Sequence, residues 1–85
     1  MDDAIEIPVK LFGVQAQLAG AEAVVVRVPR GATVADARAA LAEAAPALRP
    51  SLGASRFAVG HAYAAEDRAL DGAEEVALIG LVGGG

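Results

Sequence analysis

Eighty-five residues make one small domain, with chain enough for a single modest core and too little for a substrate pocket walled by two lobes, so catalysis calls for a partner. A net charge of -4, with the basic residues scattered rather than clustered, argues against a nucleic-acid or anionic-membrane surface and makes a basic partner the natural complement. Without cysteine, and with His61 as the one histidine, the chain has no disulfide, no thiol nucleophile and no cysteine or histidine metal cluster, so no metal site is expected.

Aromatic residues are 4% of the chain, so the core has to come mainly from Val, Leu, Ile and Ala. The run Ile5-Glu6-Ile7-Pro8-Val9-Lys10-Leu11-Phe12 alternates apolar and polar positions over most of its length, the period of a half-buried strand. Pro8 has no N–H to donate, which places it at an edge or at the beginning of the paired region. Gly13 ends the run, and Val14 to Leu18 form a short helical turn before Gly20. Ala23-Val24-Val25-Val26-Arg27-Val28, rich in β-branched residues, is a second strand closed by Pro29-Arg30-Gly31.

Thr33 stands three residues before Asp36, a capping box with Asp in the usual Glu position. From Val34 to about Ala45 good helix formers dominate, with Val34, Ala37, Leu41, Ala44 and Ala45 on one face and Arg38 and Glu43 outside it. Pro46 ends the helix, with room for one more turn at Ala47-Leu48-Arg49 before Pro50 and Gly53. Short strands follow at Phe57-Ala58-Val59, Ala62-Tyr63 and near Leu70. A polar turn, Asp71 to Glu75, then leads into a final strand, Val76 to Leu81. No linker or internal repeat appears, and two strands, one helix and more strands describe an α+β roll in which a mixed sheet wraps one main helix. No apolar run approaches the roughly 20 residues that span a bilayer. Met1-Asp2-Asp3 lacks the basic start of a secretory signal, and a cytoplasmic location is expected.

The last strand empties into Val82 and Gly83-Gly84-Gly85, so residues 1–81 read as the domain and 82–85 as a flexible C-terminal glycine tail. Glycine takes almost any backbone angle and brings no side chain to a narrow tunnel, and the four residues from Val82 reach roughly 13 Å when extended. A tail that threads into a partner's active site and a merely frayed end are both compatible with the composition.

That element order, with a hydrophobic last strand running into Gly-Gly, resembles the β-grasp (ubiquitin-like) fold of the MoaD/ThiS sulfur-carrier family over most of the chain. Val9-Lys10-Leu11-Phe12 followed by Leu18-Ala19-Gly20 looks like the opening of molybdopterin synthase small subunits, and Gly31-Ala32-Thr33-Val34 like their entry to the main helix. Phe57-Ala58-Val59 and the block from Leu70 to Ile79 resemble the third strand and the turn and strand that lead to the tail. Two positions depart from the pattern: Gly60 stands where Asn is common, and Gly80-Leu81 where the family carries Pro-Pro, which loosens the base of the tail.

The resemblance implies that Gly85 is the reacting residue. Its carboxylate is adenylated by an E1-like enzyme and converted to a thiocarboxylate by a sulfur donor protein, so sulfur is carried without cysteine. It further implies insertion of the tail into the large subunit of molybdopterin synthase, in a heterotetramer, for synthesis of the molybdenum cofactor. No cofactor is bound on this chain, ATP being used by the activating partner. Gly83 and Gly84 give the tail access, Leu81 and Val82 seat its base, and Phe12, Tyr63 and Ile79 form a partner-facing patch. Alternation alone leaves Phe12 and Ile79 open between that patch and the core. His61 reads as incidental and Lys10 as a solvated strand lysine. Glu66, Asp67, Asp71, Glu74 and Glu75 read as solvated turns or as a complement to a basic partner. The competing functions are a carrier for thiamine, cysteine or secondary-metabolite synthesis, a ubiquitin-like protein modifier, and a binding module with an inert tail.

Overall fold

In the computed structural model, which describes residues 3–80, the first alternating run is strand β1 (Ala4–Lys10), with Ile7 and Val9 buried and Glu6, Pro8 and Lys10 exposed. It pairs antiparallel with β2 (Ala23–Pro29) along its whole length, from Ala4 opposite Pro29 to Lys10 opposite Ala23. Helix α1 (Gly13–Ala19) joins them and ends on Gly20, whose positive φ of 70° lets its N–H turn back to the last carbonyls. Helix α2 (Val34–Ala44) starts at the expected capping box, Thr33 Oγ1 accepting from Asp36 N–H and Asp36 accepting from Thr33 N–H.

A 3-10 turn (Pro46–Leu48) and the short helix α3 (Arg49–Leu52) carry the chain to β3 (Ser55–Val59), β4 (Ala62–Tyr63) and β5 (Val76–Gly80). The sheet order is β2-β1-β5-β3-β4, with β1 and β5 parallel and the other neighbours antiparallel. This is the mixed sheet wrapped around one main helix that the sequence implies. Val34, Ala37 and Leu41 of α2, with Leu48 and Leu52, cover the inner face made by Ile7, Val9, Val26, Val28, Phe57, Val76 and Leu78, all buried.

Three details differ from expectation. Pro8 lies in a strand with neighbours on both sides, but the ladder to β5 begins only at Val9, so its missing N–H falls where β2 alone is alongside. Ala44 is exposed, because α2 ends there and the chain turns at Pro46 to bury Leu48 instead. Near Leu70 there is an isolated bridge between Ala69 and Thr33 rather than a strand, with Leu70 N–H donating to Ala32 O at 2.8 Å. Leu81 and the tail 82–85 lie outside the described residues.

Candidate functional site

Strand parity decides what alternation left open. With Ile7, Val9 and Leu11 inside, Phe12 falls on the outer face and is 54% exposed; with Val76 and Leu78 inside, Ala77 and Ile79 face outward. Across the outer face the register sets Tyr63 opposite Ala58, Ala58 opposite Ala77 and Ala77 beside Lys10. Two methyl groups in the middle of a row flanked by tall side chains make a concavity. It is an open, mostly apolar groove of about 420 Å³, lined by Phe12, Ala58, His61, Tyr63, Glu75, Ala77 and Ile79. The three apolar residues expected on one patch therefore share one groove. The core reading fails for Phe12, and Ile79 is half-buried.

Charges frame this groove. Lys10 Nζ lies 3.3 Å from Glu75 Oε2 on one side, and on the other the Arg56 guanidinium sits 5.2 Å from the centre of the Tyr63 ring. Arg56 is cross-strand from Ile79, so the cation stands beside the C-terminal end of β5. The hairpin between β3 and β4 turns on Gly60 and His61, with φ of 60° and 70°, and Val59 pairs with Ala62 across it. Positive φ at both central residues is the demand of a two-residue hairpin whose twist matches its strands, a demand that Asn and Gly meet equally well. This accounts for Gly60 at the usual Asn position, and it places His61 at the groove rim.

The acidic residues do not form an open acidic face. Glu66 is bound by Arg38, Glu74 pairs with Arg68 through two hydrogen bonds, Glu75 meets Lys10, and Asp71 Oδ1 accepts from Ala73 N–H in its own turn. Lys10 is likewise in an ion pair rather than solvated alone. Among the described residues no group of three or more His, Asp or Glu side chains is placed to hold a metal, and no helix is long and apolar enough to cross a membrane.

Sequence reasoning missed the alanine floor, the Arg56 and Tyr63 stack, and Gln15. Gln15 is buried on α1, and its Nε2 donates to Ser55 Oγ at 2.5 Å, beside the end of β5. No signal in the sequence marked Gln15, because the packing decides which face of α1 turns inward, leaving Val14 and Leu18 on the outside and a polar residue within.

A five-stranded mixed sheet in this order, rolled around one main helix and open on an apolar groove, defines a ubiquitin-like β-grasp protein. The chain belongs to the ThiS family, whose sequence profile matches residues 9–85. SAMP1 from Haloferax volcanii is 32% identical, with a TM-score of 0.84 over 95% of this chain and 100% of that one. A provisionally assigned molybdopterin converting factor subunit 1 from Pyrococcus furiosus shares the fold at 21% identity, with a TM-score of 0.78 over 91% of this chain and 99% of that one. So does the Haloferax volcanii HVO 2177 protein, at 21% identity and a TM-score of 0.80, over 98% of this chain and 89% of that one. No curated protein is a significant match. The fold is thus the one shared by small sulfur carriers and ubiquitin-like modifiers.

Proposed function

We propose that this chain is a sulfur carrier whose Gly85 carboxylate is activated and converted to a thiocarboxylate, serving as the small subunit of molybdopterin synthase. The observation that carries this reading is the family match running through residue 85, on a chain in which β5 (Val76–Gly80) is followed in the sequence by Leu81-Val82 and Gly83-Gly84-Gly85. A carboxylate resists nucleophiles, so it must first gain a leaving group. Attack of the Gly85 carboxylate on the α-phosphorus of ATP, within an E1-like partner, releases pyrophosphate and leaves an acyl-adenylate. A persulfide on the donor protein then attacks the acyl carbon and expels AMP, giving an acyl disulfide, and a second thiol of the partner proteins cleaves its S–S bond, leaving the thiocarboxylate on Gly85 and a disulfide on the donor. The groove of Phe12, Tyr63 and Ile79 docks the activating enzyme and then the synthase large subunit, while Leu81 and Val82 seat the base of the tail and Gly83 and Gly84 let it pass. The molybdopterin branch is favoured by the longer connection from Pro46 to Arg56, which carries a 3-10 turn and α3.

The test is intact mass and C-terminal peptide mapping after incubation with ATP, an E1-like enzyme and a sulfur donor. Replacement of one oxygen by sulfur is expected at Gly85 and not at an oxidised Met1. Deleting Gly85, or extending the chain past it, should abolish transfer and leave thermal unfolding unchanged. Sulfur transfer retained in either variant sinks the reading.

A second reading is favoured by the 32% identity to SAMP1, a protein named as a small archaeal modifier. In it the same acyl-adenylate is attacked by a substrate lysine to give an isopeptide. Lysine-linked adducts of Gly85 in a lysate, without thiocarboxylate on the free protein, select it over the carrier.

A further inference from the structure

Among the described residues the sheet has two edges of unequal kind. At one, β4 is two residues long; at the other, β2 runs for seven, paired without a bulge to β1 over its whole length. The hydrogen bonds at the two ends of that ladder set its phase: Leu11 N–H to Glu22 O at 2.9 Å, and Arg30 N–H to Asp3 O at 2.8 Å. The even-numbered residues of β2 bond to β1, so the main chain of Ala23, Val25 and Arg27 points to the open side. No hydrogen bond among the described residues reaches the edge-facing groups of Ala23 or Val25.

Proteins blunt such edges with a lysine, a bulge or an inward-pointing charge, because an open strand is a template for another. β2 has none of the three. Its inward side chains are Val24, Val26 and Val28, and Val25 is 55% exposed on the outer face.

The two ends of the open edge also match each other. Pro29 has no N–H to give, and its C=O already accepts from Ala32 N–H at 3.0 Å. Ala21 N–H is spent on Ala16 O at 3.1 Å. Both residues are four positions from Val25, so a two-fold axis through Val25 sets Pro29 of one copy across from Ala21 of the other. Donors then run out at the same step in both chains, and this match selects a second copy of the chain as the occupant. The same axis puts Val25 against Val25, with Pro8 behind each, and Arg27 across from the small Ala23. No like charges stand directly opposite, and Arg27 keeps Glu6 of its own β1 at 3.6 Å.

We propose that β2 is the interface of a homodimer, in which Val25 exchanges its N–H and C=O with Val25 of a second copy and two five-stranded sheets become one. Antiparallel strands in one sheet place the axis normal to it, so both outer faces lie on the same side. The grooves of Phe12 and Tyr63 stand beyond β1 from the axis and remain open in both copies. Pairing and docking do not compete, and the dimer is independent of the carrier reading.

The experiment is sedimentation equilibrium of the full chain across micromolar to millimolar concentration, with amide exchange followed by ¹⁵N NMR at both ends of that range. An edge pairing is a small interface, so half the chain should be dimeric at about 100 μM. At about 1 mM the Val25 amide should gain about fivefold in exchange protection, whereas the Val26 amide, bonded to β1 in either state, should not change. Val25→Lys sets like charges across the axis at an exposed position; it should fold as the wild type does and raise the midpoint at least about tenfold. Tyr63→Asp, which spoils the groove, should leave the midpoint where it is. A monomer throughout the range overturns the proposal. So does a dimer in which the Val25 amide is unmoved, or one that Val25→Lys leaves intact. A chain that is never adenylated removes the carrier reading and leaves the dimer to be decided by these measurements alone.

Discussion

Arg38 closes on Glu66 from 28 residues away, Nε donating to Oε1 at 3.0 Å and Nη2 to Oε2 at 2.7 Å. The same guanidinium donates through Nη1 to the Leu52 carbonyl and lies 5.3 Å from the centre of the Phe57 ring. One side chain thus ties α2 to the end of α3, to β3 and to the loop before Leu70.

The pair gives folding a pH dependence. The Arg38 hydrogen bond holds the Glu66 carboxyl below its ordinary 4.5; partial burial opposes this, and the charges of Arg38 and Arg56 add to it. The folded value is the lower one, so the stabilisation is present above 4.5 and disappears as pH falls through the folded value. More than half of the Glu66 side chain is in water, so Glu66→Gln should cost under about 1 kcal/mol near neutral pH. Urea unfolding of both proteins near neutrality and at about pH 3 checks it. An equal gap at both pH values removes Glu66 as the cause.

Phe12 occupies the N-cap of α1 without a side-chain cap. Asp is among the best residues there, so Phe12→Asp should leave stability level or raise it by about 0.5–1 kcal/mol while it removes an apolar wall of the groove. Tyr63→Asp, at a residue 59% exposed, should also fold normally. Titration against the activating partner should show both binding at least about tenfold more weakly, the size expected when an exposed apolar anchor is lost. Unchanged affinity would move the docking site off this face.

His61 is the one residue other than glycine with positive φ among those described. An L side chain is strained there, so His61→Gly or His61→Asn should raise stability by up to about 1 kcal/mol, which thermal unfolding reports directly. Gly60→Val should do the reverse. A loss on His61→Gly would mean that the imidazole makes a contact worth more than the strain it causes.

The Thr33 and Asp36 capping box sits next to the bridge with Ala69, and Val34 N–H donates to Arg68 O at 2.9 Å. Thr33→Ala should cost about 1 kcal/mol in chemical unfolding. Thr33→Ser should restore most of it, since the hydroxyl is what Asp36 N–H requires.

The elements that carry their own instructions were readable in the chain. The alternation of Ile7 and Val9, the capping box at Thr33 and the valines of β2 each specify their conformation within a few residues, and each stands where expected. What needs two distant segments was not readable. Ala58 and Ala77 become a groove floor only once β3 and β5 are in register, and Arg38 finds Glu66 only after α2 has crossed the sheet. Ala44 was misplaced because helical periodicity cannot tell where the chain will stop following the helix. Gln15 drew no reading at all, because the hydrogen-bond partners that go with its burial, Ser51 and Ser55, are 36 and 40 residues away.

The strand order also constrains the history of the molecule. β5 lies between β1 and β3, yet it is the last strand of the five to be made. Until it arrives, β1 and β3 each present an unpaired edge to the same gap, the arrangement that invites pairing with other chains. The strand that leads to the glycines is therefore also the one that closes the sheet. A chain halted before β5 cannot complete its core, so a truncated product is exposed to proteolysis and aggregation before it can compete for a partner.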